Sequence, residues 1–246
     1  SRVGDVLLGL TAVVTLPKRK EDTTANGRAW VENLGHHLFY KAELLAQETV
    51  IEDFGNGNSA NGGIYGAFMD ATMGMHLSGS KKLLYDNMIG NRSAITDFSK
   101  AADTTAQQIM CPMQFSFCLT SEYGLPVAPL PVCALAYCNL QVRLGLNSVT
   151  KVMYQASTVN QLGPVALDAV TDKYTVDMIA EYAMLSATER SLLACASTSQ
   201  IVLHRQALAR SKTAASDTRT DINFSGCNSY WFSLFQNQGA DTTGAL

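Results

Sequence analysis

CPMQFSFCLTSEYGLPVAPLPVCALAYCNLQVRL, residues 111–144, holds four of the chain's six prolines and four of its six cysteines. Met113, Phe115, Phe117 and Leu119 alternate with Gln114, Ser116 and Cys118. That period of two predicts a half-buried strand of at least seven residues. Tyr123-Gly124-Leu125-Pro126 reads as a turn. Pro129 and Pro131 then hold the chain extended and remove ladder donors. Beyond them Leu140, Val142, Leu144 and Leu146 oppose Gln141, Arg143, Gly145 and Asn147, a second strand. Two strands joined by a proline-stiffened connection are how a chain passes between the sheets of a sandwich.

The flanking sequence supports a β-rich reading with short helices. Val6, Leu8, Leu10, Ala12, Val14 and Leu16 share one face at period two, which predicts a strand packed on a core. The residues before it, interrupted by Asp5, lack the cleavage pattern of a leader and read as a chain entered in mid-protein. Trp30, Leu34 and Leu38 recur at spacing four, a helical turn. Residues 39–54 alternate and predict one strand running into the polar turn GNGNSANGG. Residues 65–90 read as helices broken at Gly74 and at Ser78-Gly79, with Met69, Met73 and Leu77 on a core stripe. Near Glu181 a strand gives way to a helix, where Ser186 and Glu189 have capping-box spacing. An extended segment at 200–208, a small polar linker at 211–220 and renewed β-patterning from Ile222 complete the chain.

Composition narrows the functional classes. With 47% hydrophobic residues, 246 residues suffice for a full core. Charged residues make up 16%, against roughly 25% in typical domains, which points to surface covered by other chains. A net charge of −3, with Lys18-Arg19-Lys20 as the densest basic run, disfavours direct nucleic-acid binding. No apolar run has the length of a helical membrane span.

Chemistry is sparse. Cys111, Cys118, Cys133, Cys138, Cys195 and Cys227 contain no CxxC pair, so they read as apolar fillers in a reducing setting rather than metal ligands. His36 and His37 are adjacent and would project about 100° apart on a helix; together with His76 and His204 they read as structural. Glu43, Glu48, Glu52 and Asp53 read as a solvated acidic strand end. The glycine-rich stretch at 55–63 lacks the Lys-Ser/Thr ending of a phosphate loop and the last glycine of a nucleophile elbow. No catalytic, cofactor-binding or metal residues are assigned, and no cofactor is expected.

Taken in order, several segments resemble the major capsid proteins of nucleocytoplasmic large DNA viruses, most closely the iridovirus-like branch. They are Gly4-Asp5-Val6-Leu7-Leu8 leading to Leu16-Pro17, Trp30 to His36, GSKKLLYDNMIGNRS at 79–93, Pro112 to Phe117 with Gly124-Leu125-Pro126, EYAMLSATER at 181–190, and Asn223-Phe224 before Tyr230-Trp231-Phe232. The resemblance implies an all-β double jelly roll with short helices. Residues 1–185 would form a first roll lacking its N-terminal part, 186–220 a capping helix and inter-roll linker, and 221–246 the start of a second roll. It further implies a non-enzymatic subunit of the virion, assembled in the host cytoplasm. As a homotrimer it would form pseudo-hexagonal capsomers that contact neighbouring capsomers and minor capsid proteins in an icosahedral shell, usually over an internal membrane. The alternative from the residues alone is a lectin-like recognition module using loops 55–63; a cupin-like enzyme ranks below it, since no strand carries paired histidines.

Overall fold

The computed structural model describes residues 4–18, 28–54, 64–96, 106–119, 127–135, 138–156, 162–164 and 173–196, with 199 and 202. Nine strands are described: β1 (Val6–Thr15), β2 (Arg28–Trp30), β3 (Phe39–Ala46), β4 (Thr49–Asp53), β5 (Gln108–Pro112), β6 (Leu140–Leu146), β7 (Met153–Ala156), β8 (Leu162–Pro164) and β9 (Thr175–Ala183). Six helices accompany them: α1 (Leu34–His37), α2 (Ile64–His76), α3 (Gly79–Ile89), α4 (Ser93–Thr96), α5 (Val149–Val152) and α6 (Ala187–Cys195). The strands form three antiparallel sheets, ordered β5-β1-β9, β2-β7-β8 and β4-β3-β6. Side chains from all three enter one apolar cluster, including Leu10, Ala12 and Val14 of β1, Trp30 of β2, and Ala42 and Leu44 of β3.

β1 shows how alternation becomes packing. Leu10, Ala12 and Val14 are buried as the period demands. The pairing with β9 slips between Leu7 and Gly9, a bulge that takes Leu8 out of register and puts Leu7 into the core in its place.

Residues 111–144 do connect two sheets. β5 lies beside β1, whereas β6 lies beside β3. Between Pro129 and Pro131 only Leu130 keeps an N–H; it donates to the Leu7 carbonyl at 3.0 Å, and the Leu7 N–H donates back at 2.9 Å. The strand expected at 113–119 is instead β5, ending at Pro112, followed by a 3-10 turn at Ser116–Cys118. Met113, Phe115 and Phe117 are still fully buried. The cause is Glu52, whose carboxylate accepts the Ser116 N–H at 2.9 Å and its hydroxyl at 3.0 Å, taking the donor that a strand would give to its neighbour.

Residues 39–54 form a hairpin, not one strand. Gln47 and Glu48 both take left-handed conformations, φ 48° and 68°, as a two-residue type I′ connection requires. Gly145 of β6 is needed for close approach: a Cβ there would lie 2.6 Å from the ring of Tyr40, the residue bulged out of the β3 register.

Helical expectations are met in part. Trp30 belongs to β2, so α1 begins only at Leu34, although Trp30, Leu34 and Leu38 are all buried. α2 runs straight through Gly74, and the helices separate at Ser78-Gly79. The capping box at α6 is present, with Ser186 Oγ accepting the Glu189 N–H and the Glu189 carboxylate accepting the Ser186 N–H at 3.0 Å. Residues 55–63, 123–126, 200–208 apart from Val202, 211–220 and everything from Ile222 onward lie outside the described residues.

Candidate functional site

Three helices meet around His36. Its Nδ1 bonds to Asp70 Oδ1 on α2, and its Nε2 is 2.7 Å from the Tyr85 hydroxyl on α3. Nε2 of His37 reaches the other Asp70 oxygen at 3.1 Å. The two imidazoles, expected to point apart, are gathered by a single carboxylate. Asp70 can only accept, so His36 Nδ1–H donates to it, and Nε2 shares the second hydrogen bond of the ring with the Tyr85 hydroxyl. Burial alone would raise the Asp70 pKa, but the hydrogen bonds from His36 and His37 outweigh it and hold the group far below the usual carboxylate range. Burial pushes the Tyr85 phenol above its ordinary value, so it stays a donor. Beside them the buried Cys111 thiol is pushed up to about 12 by burial.

This His-Asp-Tyr chain has a triad's connectivity without a nucleophile. Tyr85 and Cys111 are held protonated, and every hydrogen-bonding position of the imidazole of His36 is occupied. What the arrangement does is tie α1, α2 and α3 together. Among the described residues no cluster of three His, Cys, Asp or Glu side chains could hold a metal ion. Asp70 and Tyr85 lie 34 and 49 residues from His36, beyond any local spacing signal.

The acidic strand end is not solvated as expected. Glu48 is exposed in the hairpin turn, but Glu43 and Glu52 are buried, at 4% and 2% exposure. Glu43 is satisfied by Lys41 at 2.5 Å and Arg143 at 3.3 Å, and Glu52 by Ser116. A carboxylate buried between donors is a structural clasp, because leaving it unpaired would cost several kcal/mol, about 3–5. Asp5 forms another clasp, accepting from the Leu185 N–H at 2.8 Å and from two nitrogens of Arg190 at 2.9 Å. The Leu185 and Arg190 bonds hold its carboxyl below the usual range and pin the start of β1 to the entry of α6.

Cys111, Cys118, Cys133, Cys138 and Cys195 are free; Cys111 is core filling, and Cys118 packs against the core from the 3-10 turn. Cys195 is exposed, so the filler reading does not extend to it. Cys227 and His204 lie outside the described residues.

Several large apolar side chains are exposed among the described residues. β9 is an edge strand among the described residues, and Met178, Ile179 and Tyr182 are exposed on its two faces. Met184 and Leu192 extend this surface past the end of β9 and onto α6. A second patch is formed by Leu83 and Leu84 of α3. A mostly antiparallel β-structure with short helices, its buried carboxylates held by hydrogen bonds, places the chain in the jelly-roll class of structural β-proteins.

The chain belongs to the major capsid protein family: the model of that family's N-terminal part matches residues 1–186. It is 26% identical to the major capsid protein of Costelytra zealandica iridescent virus over 212 residues, which cover 80% of this chain and 43% of that protein. Identity to the major capsid protein of Wiseana iridescent virus is also 26%, over 216 residues covering 80% and 41%. The chain thus spans less than half the length of these relatives. In fold it is similar to the capsid protein VP54 of PBCV-1, solved as a crystal structure fitted into a reconstruction of the virophage Sputnik, with TM-score 0.55, 19% identity and coverage of 80% of this chain and 39% of that one. A quasi-atomic model of the PBCV-1 capsid gives TM-score 0.56 at 18% identity, covering 79% and 39%.

Proposed function

We propose that the chain carries the first jelly roll, lacking its N-terminal part, and the start of the second of a major capsid subunit that acts by assembly and catalyses nothing. Residues 1–185 form that roll, 186–220 the capping helix and linker, and 221–246 open a second roll. The full-length protein is a homotrimer with a pseudo-hexagonal outline that tiles an icosahedral shell with neighbouring capsomers. Minor capsid proteins bind the shell, an internal membrane lies beneath it, and the subunit makes no direct nucleic-acid contact. Assembly takes place in the host cytoplasm.

The observation that carries this reading is the family match over 1–186, together with the apolar side chains exposed among the described residues. Exposed apolar patches of this kind serve as association surfaces. Light scattering on the full-length protein after size-exclusion chromatography tests it. The expected mass is that of a trimer; a monomer at every concentration would overturn the proposal.

A further inference from the structure

The His36 side chain is 5% exposed and is held at both ring nitrogens, by Asp70 at Nδ1 and by the Tyr85 hydroxyl 2.7 Å from Nε2. The His36 and Tyr85 rings are 5.6 Å apart between centroids and tilted by 41°. Histidine is the side chain that changes charge between pH 5 and 8. A buried imidazole that gains a proton turns an acceptor nitrogen into a donor, and that donor needs an acceptor in place of the group that served before.

The partner at Nε2 decides whether this need is met. A lysine, an arginine or an amide N–H there could only donate and would oppose the new N–H; a carboxylate could only accept and would oppose the bare nitrogen. A hydroxyl does both, because its hydrogen turns about the C–O bond while the oxygen stays in place. Tyr85 keeps that hydrogen, since burial raises its phenol pKa. It is itself only half-buried, so the hydrogen it withdraws does not end in the apolar core. At Nδ1 nothing has to change: the hydrogen bonds from His36 and His37 hold Asp70 as a carboxylate, which accepts in either state.

The other titratable groups around the ring leave Nε2 to Tyr85. His37, beside it on α1, reaches the second Asp70 oxygen at 3.1 Å. On β5 the Cys111 thiol is pushed up to about 12 by burial and carries no charge. On β3, which also packs on α1, Lys41 and Glu43 pair with each other. Asp86 lies near Tyr85 on α3, where its charge adds to the rise of the phenol pKa.

We propose that Tyr85 is a proton-adaptive latch: its hydroxyl donates to a neutral His36, and the same oxygen accepts the Nε2–H of a charged one, so α1, α2 and α3 stay joined in both states. One proton enters Nε2 from solvent, and the phenol's own proton stays on its oxygen. The latch lies within one chain and is independent of the trimer reading.

The test is Tyr85→Phe in the full-length protein. A neutral His36 then loses a donor, whereas a charged one is left with a buried N–H that has no acceptor, the larger loss. The penalty is therefore full below the histidine range and smaller above it. The Tm gap between wild type and Y85F is expected to widen by about 2–4 °C as the pH falls from 8 to 5.5. The same widening is expected in a His37→Asn background, since His37 meets Asp70 and not Tyr85. Deuterium exchange at the imidazole C2 of His36, read by mass spectrometry, follows the charge of the ring on the wild type and stands even if Y85F fails to fold. It is expected to show one step between pH 5 and 8, with the amide protection of α1, α2 and α3 unchanged across it. A gap that is constant with pH, as a merely space-filling phenol would give, would overturn the latch. So would loss of the widening in H37N, a His36 with no step, or helices that lose protection on acidification.

Discussion

Asp70→Asn keeps the size of the side chain that ties α2 to α1 and removes its charge. The wild-type carboxylate accepts from His36, whose side chain is 5% exposed, and from His37, which is 41% exposed. A sheltered hydrogen bond to a charged group contributes about 1.5–3 kcal/mol, and an exposed pair about 0–1. Asparagine retains one acceptor for His36 but turns an amide toward His37, so the loss is about 1–2 kcal/mol after discounting for the solvent-facing side of Asp70. For a unit of this size that is a fall of about 2–8 °C in Tm. The pH dependence gives the sharper check. Because the folded-state pKa is depressed, Asp70 stabilises the protein above its unfolded value near 3.8, and that contribution fades as the pH falls below it. Thermal unfolding of the full-length protein is therefore expected to show a gap between wild type and D70N that narrows from about pH 5 to about pH 3. A variant as stable as wild type at both pH values, or a gap that does not narrow, would refute the role given to this cluster.

Two further perturbations probe the core. Phe115→Ala removes a fully buried ring that meets Phe54 edge-on at 5.2 Å and stacks with Phe117 at 5.8 Å, and is expected to cost about 3–5 kcal/mol, measured by chemical denaturation. A loss below about 1 kcal/mol would mean that residues 113–117 do not enter the core as described. Gly35→Ala places a methyl group 2.8 Å from Cys111 Sγ and 3.0 Å from the Ile89 carbonyl, so destabilisation of about 1–3 kcal/mol is expected, where an exposed helical glycine would gain from the same change.

How much of this was legible in the sequence depended on the range of the interaction that decided each element. The capping box at Ser186 and Glu189 and the alternation of Leu10, Ala12 and Val14 are local, and the structure has both. The proline-flanked crossing was legible because proline acts on its own backbone, whatever it packs against. The phase change at Leu8 was not, since a bulge is defined by the partner strand. Phe115 and Phe117 read as strand because alternation records burial, while the donor that decided the backbone conformation was taken by Glu52, 64 residues away. The hairpin at Gln47-Glu48 lacks the Asn-Gly or Asp-Gly pair that would announce it. Histidines that looked separate share Asp70 because α2 packs on α1, which no spacing rule within 36–37 could reveal.

The central claim is that this sandwich exists to be packed against copies of itself. Electron microscopy of the purified full-length protein tests it most directly. The account predicts particles of three-fold symmetry and pseudo-hexagonal outline. Dispersed single subunits would contradict it.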